Sequence, residues 1–429
     1  MKYKQIDKRL FIENRLRFCK KNSGNSTSIF NSNDIMPTNA DGTMPFRQNN
    51  DLFWLSGIDQ EESILVISPH HPNILMREVL FLKETNEHIA IWEGAKLTKE
   101  QAFRNSGIKT VFWLSDLDEK LNEIITQTQK IFLNKNMHSR SASQVETRDD
   151  RFRIMISNKF PNKEIHEVAP IMHELRSIKS QEEVELMQQA CNITEKGLRR
   201  ILPIIKPGIM EYEIEAELVH EFLINRSRGF AYQPIIGSGI NSCVLHYIEN
   251  NKKCENGEVL LMDFGAEYAN YASDLTRTVP VSGRFTNRQK SVYNSVLYVM
   301  KEAMKMLIPG TSFKDYNKEV GRIMELELIK LGLLDKHDVQ KQDAERPLYK
   351  RYFMHGTSHY LGLDVHDVGS MQWEMKEGMV FTCEPGIYIL EEALGVRLEN
   401  DILITSMGPD DLMKNIPIEA EEIETLMNT

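Results

Sequence analysis

The C-terminal part of the chain repeats one order of elements, and this repeat constrains the fold more than any other feature. A predicted helix, a Pro-Gly pair, a second predicted helix and strand-like segments occur around Pro207-Gly208 and again around Pro309-Gly310, 102 residues further on. Proline and glycine together end a helix. We interpret the order as a degenerate internal duplication, in which two α/β halves bury their sheets against each other. Coincidence of common helix-ending residues is the alternative interpretation.

Each repeat begins with the sequence signal of a helix start. Ser180 and Glu183 form one capping box, and Thr286 and Gln289 form the other. In such a box a serine or threonine hydroxyl caps the amide three residues on, while the longer side chain reaches back. The sequence therefore predicts long helices after both boxes, with second helices over residues 212–225 and 313–331.

The first part of the chain has a different texture. Strand-like runs with turn residues between them read ESILVISP, REVLFLKE and QKIFLNK. A polar stretch over residues 140–163 follows as a candidate linker. We predict the α/β (α+β) fold class, with an N-terminal α/β domain over residues 1–172 and a C-terminal duplicated domain over residues 173–429. A length of 429 residues also favours two domains.

Composition argues against several classes of function. The formal net charge is -10 and runs of Lys and Arg are short, so no nucleic-acid partner is expected. The N-terminus lacks the apolar core of a secretory signal, and no window approaches the ~18 apolar residues of a membrane span. The five cysteines form no Cys-x-x-Cys pair, which suits a reducing compartment, so we predict a cytoplasmic protein without membrane attachment.

Five side chains in the C-terminal part form a candidate metal site. They are Asp263, Asp274, His359, Glu384 and Glu399. Four carboxylates and one imidazole are the donors expected for two divalent ions that share bridging oxygens. Ligand chemistry alone allows Mn²⁺, Co²⁺, Zn²⁺ or Fe²⁺. The pattern predicts a dinuclear metallohydrolase.

The two aspartates are expected on a hairpin. Asp263 follows the apolar run VLLM, and Asp274 comes after a second strand-like stretch. If the turn lies at Tyr268 and Ala269, the two aspartates face each other across the ladder with Cβ atoms ~5 Å apart. Such close carboxylates repel unless a cation lies between them. A pair of solvated strand residues is the alternative.

Three histidines and an arginine accompany the candidate ligands. His355, His359 and His366 fall within twelve residues, in a segment whose glycines argue against a long helix. Arg397 lies two residues before Glu399 in an alternating strand pattern, so both occupy one strand face. Arg397 is predicted to orient Glu399 by a charge-assisted hydrogen bond, and an exposed salt bridge is the alternative.

Several separate motifs resemble those of the aminopeptidase P family. They read ADGTMPFRQNNDLFWLSGIDQEES, IWEG, HELRSIKSQEEVELM, GSGINSCVLHY, MDFGAEYANYASDLTRTVPVSGRFT, HGTSHYLGLDVHDVG and EPGIYI. The resemblance covers nearly the whole chain and implies the pita-bread metallopeptidase fold for the C-terminal domain. It implies two Mn²⁺ ions per subunit and removal of an N-terminal residue that precedes proline.

The resemblance also implies a role for each site residue. Asp263 would bind one ion, Asp274 and Glu399 would bridge both, and His359 and Glu384 would complete the other. Glu384 would also move a proton, and His366 would donate to the developing oxyanion. The remaining expected residues are His246 and His355 beside the substrate, Tyr232, Tyr388 and Arg397 in its pocket, Asp41 at its free amine and Trp92 at a neighbouring subunit's site. A homodimer or homotetramer is therefore expected.

The chain departs from the family pattern between Gly369 and Gly378. Only SMQWEMK separates HDVG from EGMV, which is shorter than in related enzymes, and this affects the expected preference for substrate length. Asn400 stands where relatives often carry Asp. Prolidase, a dipeptidase with the same ligands, is the main alternative, but its motif usually reads Gly-x-Gly-His where this chain has Gly356 to His359. A metal-free pita-bread binding protein is a minor alternative, because such proteins usually lose metal ligands whereas this chain keeps all five candidates.

Overall fold

The computed structural model describes residues 2–22, 24–141 and 143–429, which form two compact units, residues 3–176 and 177–429. Both units combine helices with β-sheets, as the predicted fold class requires. Within the described residues, no helix has the length and apolar character needed to cross a membrane.

The first unit is built on one mixed sheet. Its elements are α1 Lys8–Lys21, β1 Ser26–Asn31, α2 Asn50–Ser56, β2 Ile64–Ile67, β3 Glu78–Leu82, α3 Glu87–Glu93, α4 Lys99–Ser106, β4 Thr110–Trp113, α5 Leu117–Thr126, β5 Lys130–Leu133, α6 Arg148–Lys159, β6 Glu164–Glu167 and α7 Ala169–Ser177. The strand order is β4-β3-β2-β1-β5-β6. Strand β2 pairs antiparallel with β1 and β3, and the other neighbours are parallel.

The three predicted strands of this unit are present as β2, β3 and β5. Their apolar side chains, with those of α5 and α6, form a core that includes Val66, Phe81, Ile124, Ile131 and Ile156. The central strand β1 reads STSIFN and is buried along its whole length. Its polar and apolar residues do not alternate. Burial on both faces of a central strand removes the alternation that marks half-exposed strands.

The second unit contains the repeated order of elements. They are α8 Gln181–Ile201, α9 Glu211–Ile224, β7 Ile235–Ser238, β8 Val259–Phe264, β9 Glu267–Tyr268, β10 Tyr271–Ala272, β11 Leu275–Pro280, α10 Asn287–Lys305, α11 Phe313–Lys330, α12 Lys336–Lys341, β12 Val380–Cys383, β13 Gly386–Ile389, β14 Leu394–Arg397, β15 Asn400–Thr405, β16 Gly408–Asp411 and α13 Ala420–Met427. Both predicted capping boxes are formed at α8 and α10.

The two repeats each supply a three-stranded antiparallel sheet and a short hairpin. The sheets have the orders β11-β8-β7 and β12-β15-β16, and the hairpins are β9–β10 and β13–β14. An isolated antiparallel bridge between Thr276 and Glu399 connects the first sheet to the second repeat. Candidate ligands from both repeats therefore meet beside this bridge.

Candidate metal centre

The hairpin that carries Asp263 and Asp274 has a different register from the predicted one. Ala269 and Asn270 occupy its turn with φ values of 54° and 68°, in the left-handed region that asparagine tolerates better than most residues. The turn therefore lies one residue later than expected, and Asp263 faces Thr276 across the β8–β11 ladder. The predicted direct pairing of Asp263 with Asp274 is wrong. Asp274 lies two residues before Thr276, so it is a diagonal neighbour of Asp263 on the same face of the hairpin.

The chain comes unusually close to itself just before Asp274. Ser273 and Asp274 lie between β10 and β11, outside both ladders. A Cβ atom on Gly265 would lie 1.7 Å from the Ser273 carbonyl oxygen. Glycine is therefore required at position 265, because any side chain would push away the segment that carries Asp274.

The phenol of Tyr232 joins the two aspartates. Its hydroxyl oxygen lies 2.6 Å from Asp263 Oδ1 and 2.5 Å from Asp274 Oδ1. A single hydroxyl hydrogen cannot satisfy two ionised carboxylates at once. Burial and the neighbouring carboxylates raise the pKa of Tyr232 well above its ordinary value. The phenol therefore stays protonated between two carboxylates that need further positive charge.

Arg397 is held by three groups, and Glu399 is not among them. The guanidinium donates from Nη2 to Asp263 Oδ2 at 2.5 Å, from Nη1 to the Tyr388 hydroxyl at 2.9 Å and from Nε to the Thr276 hydroxyl at 3.1 Å. Glu399 instead accepts from the Thr276 hydroxyl at 2.6 Å. The predicted direct hydrogen bond from Arg397 to Glu399 is wrong, because Thr276 from the facing strand lies between them.

His359 connects the two repeats at the centre of the cluster. Its Nε2 lies 3.4 Å from Asp274 Oδ2 and 3.6 Å from Glu384 Oε1. The other ring nitrogen, Nδ1, lies 3.0 Å from its neighbour's carbonyl oxygen, at Tyr360. That contact favours a hydrogen on Nδ1 and leaves Nε2 as a donor atom for a metal.

Strand β12 and the residue after it fix His359 and Glu384 relative to each other. The His359 amide donates to the Thr382 hydroxyl at 3.1 Å, and the Thr382 amide donates to the His359 carbonyl at 3.0 Å. The Glu384 amide donates to the Thr357 carbonyl at 2.8 Å. These backbone contacts place an irregular histidine-bearing segment beside a regular strand.

The cluster has the geometry and charge of a cation site. One donor atom from each of Asp274, His359 and Glu399 lies within 4.8 Å of the other two. Burial raises the pKa of Glu399 well above its ordinary value and that of Glu384 to about 7. Burial alone would lower the pKa of His359, but Asp274 and Glu384 raise it to about 9. Oxygen and imidazole donors held this close together fit hard or borderline divalent ions.

The other expected histidines surround this cluster. His366 packs edge-to-face against His359, with ring centroids 4.4 Å apart. His355 Nε2 lies 2.8 Å from the Tyr388 hydroxyl, and burial together with Arg397 lowers the pKa of His355 to about 3. His246 is exposed, and it makes a small electrostatic contribution to the lowered pKa of His355. The other ring nitrogen of His355, Nδ1, lies 2.7 Å from the Gly356 carbonyl oxygen, so His355 is neutral at neutral pH and both of its ring nitrogens have partners.

The two expected residues of the first unit are both exposed there. Asp41 lies at the tip of a turn closed by a hydrogen bond from the Thr38 amide to the Gly42 carbonyl at 2.8 Å. Trp92 lies on α3 with 78% of its surface exposed. A tryptophan with this much exposed surface is unusual, because its apolar ring is in contact with water.

Three residues around the cluster were not predicted as functional. They are Thr276, Arg277 and Asp401. Asp401 Oδ2 accepts from the Asp274 amide at 3.1 Å and from Cys191 Sγ at 3.4 Å, and burial raises its pKa well above the ordinary value. The signal that could have found Thr276 and Asp401 is strand alternation, since each follows a candidate ligand by two residues.

Comparisons with known proteins agree with this arrangement. Residues 185–406 match the model of metallopeptidase family M24, and residues 11–132 match that of the aminopeptidase P N-terminal domain. The chain is 34% identical to an Xaa-Pro aminopeptidase of Haemophilus influenzae, over 99% of this chain and 98% of that protein. It is also 34% identical to one of Escherichia coli, over 94% of each.

Solved structures show the same similarity. The Pseudomonas aeruginosa aminopeptidase PepP superposes with a TM-score of 0.90 at 29% identity, over 99% of this chain and 98% of that chain. A low-pH form of aminopeptidase P from E. coli superposes with a TM-score of 0.89 at 31% identity, over 99% of both. The expected α/β architecture with a pita-bread C-terminal part is thereby confirmed.

Proposed function

The chain belongs to metallopeptidase family M24, and from this premise we propose that it releases the first residue of peptides whose second residue is proline. It is a metallo-aminopeptidase of the Xaa-Pro type, a hydrolase that acts on peptide bonds. The donor cluster of Asp274, His359 and Glu399 is the observation that carries the proposal. A binding protein has no need to bury several carboxylates around one imidazole.

The five candidate ligands would hold two divalent ions, for which we propose Mn²⁺. Asp263, Asp274, His359, Glu384 and Glu399 would hold these ions. When bound, such ions polarise a peptide carbonyl and lower the pKa of a water molecule toward neutrality. The short contacts that join Asp263, Asp274 and Tyr232 support this arrangement, since they bring carboxylates together that require a cation.

Glu384 is proposed to move the proton during hydrolysis. Its Oε2 lies 3.8 Å from Nδ1 of His355, a residue expected beside the substrate. Glu384 lies beside His359 at 3.6 Å, so it stays within reach of the reacting atoms. His366, packed against His359, is proposed to donate to the oxyanion that develops on the scissile carbonyl.

The substrate is proposed to lie among the outer residues of the cluster. Neutral His355, whose ring nitrogens lie 2.7 Å from the Gly356 carbonyl oxygen and 2.8 Å from the Tyr388 hydroxyl, would present its ring to the peptide. His246 would contact the exposed end of the peptide. Tyr388 and Arg397 would form the wall of the proline pocket, because Arg397 binds the Tyr388 hydroxyl and fixes its ring. Tyr232 would complete the pocket from the aspartate side. A proline amide lacks an N–H, so shape and fixed polar groups must recognise it.

The remaining roles rest on exposed residues of the first unit. We propose that Asp41 binds the free ammonium group of the substrate and that Trp92 contacts a neighbouring subunit in a homodimer or homotetramer. The 78% exposure of Trp92 supports an interface, since association would cover it. A cytoplasmic location is proposed from the five free cysteines.

One experiment separates the candidate functions. The Mn²⁺-loaded protein is offered Gly-Pro and Gly-Pro-Ala in parallel, with Asp274→Asn as the matched control that keeps side-chain shape. Release of glycine from the tripeptide by the parent alone supports the proposal. Cleavage restricted to Gly-Pro supports prolidase instead. Absence of cleavage together with absence of bound metal contradicts the enzyme and supports the binding-protein alternative.

A further inference from the structure

The first unit contains a cavity of about 310 Å³ that the proposed reaction does not use. Its walls come from the residues that follow β1, from the loop that ends at Arg47 and from the start of α6. A cavity of this volume can enclose a small molecule, and its chemistry depends on the few polar groups that converge on it.

Arg148 is the first of these groups, and its guanidinium has few partners. Across the described residues, its one side-chain hydrogen bond runs from Nη1 to the Ser32 hydroxyl at 3.2 Å, and no carboxylate forms an ion pair with it. Burial lowers the pKa of Arg148. A guanidinium has five N–H donors, so most of them remain available to a ligand in the cavity.

Asp149 is the second group, and it carries the opposite charge. Its Oδ1 accepts from Asn31 Nδ2 at 2.8 Å, which is its one side-chain hydrogen bond across the described residues. Burial raises the pKa of Asp149 to about 6. The neighbouring Asp34 differs, because it accepts from the Arg148 amide at 2.8 Å and pairs with Arg151. Asp34 is therefore satisfied, whereas Asp149 can still accept hydrogen bonds.

The wall formed by the loop is apolar at Met36, Met44 and Pro45, and it ends at the charged side chain of Arg47. Met36 and Met44 line the cavity and are 41% and 54% exposed, respectively. A hydrogen bond from the Met44 amide to the Met36 carbonyl at 2.8 Å holds them side by side on the two arms of a hairpin. Methionine side chains adjust to ligands of varied shape, and exposed methionines at a cavity gain from being covered.

We propose that this cavity binds a free α-amino acid with an apolar side chain. The carboxylate would accept bidentate hydrogen bonds from Arg148, the ammonium group would donate to Asp149, and the side chain would cover Met36 and Met44. A simple anion would be repelled by the carboxylate of Asp149, and a simple cation would be repelled by the guanidinium of Arg148. A zwitterion carries both charges and can therefore bind both residues. The site goes beyond the proposed hydrolysis, because none of its lining residues is among those proposed to bind the metal ions or the peptide substrate.

Calorimetry on the full-length chain tests the site, after metal is removed by chelation so that catalysis plays no part. Leucine is the probe, with leucinamide lacking the carboxylate and 4-methyl-2-oxopentanoate lacking the ammonium group. Leucine is expected to bind with a Kd of about 1 mM or tighter, and each analogue at least about tenfold more weakly. Absence of saturable leucine binding overturns the proposal.

Variants assign the binding to the cavity. Arg148→Gln and Asp149→Asn are each expected to weaken leucine binding at least about tenfold. Arg153→Gln is the matched control on the same helix, since Arg153 pairs with Glu167 outside the cavity and should leave binding unchanged. Undiminished leucine binding in folded Arg148→Gln contradicts the proposal. Asp274→Asn should retain it, and loss there would place the amino acid at the catalytic cluster instead.

Discussion

The hydroxyl of Thr276 donates to the carboxylate of Glu399 at 2.6 Å, across the bridge that connects the two repeats of the second unit. The same hydroxyl accepts from Arg397 Nε at 3.1 Å, and the Glu399 amide donates to the Thr276 carbonyl at 3.1 Å. One threonine from the first repeat therefore orients a candidate ligand of the second. Partners of this kind commonly change metal affinity although they bind no metal themselves.

Thr276→Val is expected to weaken metal binding about 10- to 100-fold, because valine keeps the shape and removes the hydroxyl. It leaves Arg397 Nε and a buried Glu399 oxygen without this partner, so unfolding free energy should fall by about 1–3 kcal/mol. Competition with a chelator measures the first effect and urea denaturation the second. Thr278→Val is the control, since the hydroxyl of Thr278 bonds the Arg397 backbone and, among the described residues, no metal-ligand candidate. Equal metal affinity in the two variants would contradict a specific role for Thr276.

The helices could be predicted, and the candidate ligands could be selected, because their signals are local. Capping boxes at Ser180 and Thr286 depend on residues three apart, and the structure forms both. The carboxylate and histidine motifs likewise carry their chemistry within short segments. The family and fold predicted from those motifs are confirmed by the comparisons.

The contacts within the cluster could not be predicted in the same way. The hairpin register depended on whether Ala269 and Asn270 or the preceding pair formed the turn, and one residue decides which side chains face each other. The partner of Arg397 depended on a bridge between strands that are far apart in sequence. Strand alternation identifies the face of a residue, but not the residue that packs against it.

Arg277→Lys tests how strongly the two repeats are held together. Arg277 is fully buried and donates to the carbonyls of Pro417, Thr276 and Glu399 at 2.7, 2.9 and 2.8 Å, respectively. It also donates to Asn400 Oδ1 at 2.8 Å. Lysine has three donors on one atom and cannot reproduce this planar set.

We expect Arg277→Lys to lower the unfolding free energy by about 1–3 kcal/mol, because buried carbonyls lose their donors. Urea denaturation measures the change. Arg288→Lys is the control, since Arg288 pairs with Glu392 at the surface and should change stability by less than about 1 kcal/mol. A smaller loss at Arg277 than at Arg288 would contradict this account.

Asp149→Asn is expected to stabilise the protein at high pH. Burial raises the pKa of Asp149 from 3.8 to about 6, so the folded state holds this proton more tightly than the unfolded chain does. Protonation therefore favours folding below about pH 4, and that contribution is lost as the pH rises through about 6. Asparagine carries no charge and still accepts from Asn31.

The difference in unfolding free energy between Asp149→Asn and the parent should be near zero at pH 4 and reach at most about 3 kcal/mol at pH 8. Denaturation of both proteins across this range measures it. Asp150→Asn is the control of opposite sign, because hydrogen bonds from Thr147 lower the pKa of that exposed carboxylate. A parent that is more stable than Asp149→Asn at pH 8 would contradict the sign.

Gly265→Ala is expected to disrupt the aspartate hairpin, because the added Cβ would lie 1.7 Å from the Ser273 carbonyl oxygen. That atom belongs to the backbone next to Asp274, so it cannot move without displacing the candidate ligand. We expect a loss of at least about 3 kcal/mol of stability and weaker metal binding. Gly356→Ala should stay within about 0.5 kcal/mol, since a Cβ at that position meets nothing within 4 Å. Thermal unfolding and metal titration of both variants give the comparison. Equal stability would mean that the close approach of Gly265 and Ser273 does not constrain the position of Asp274.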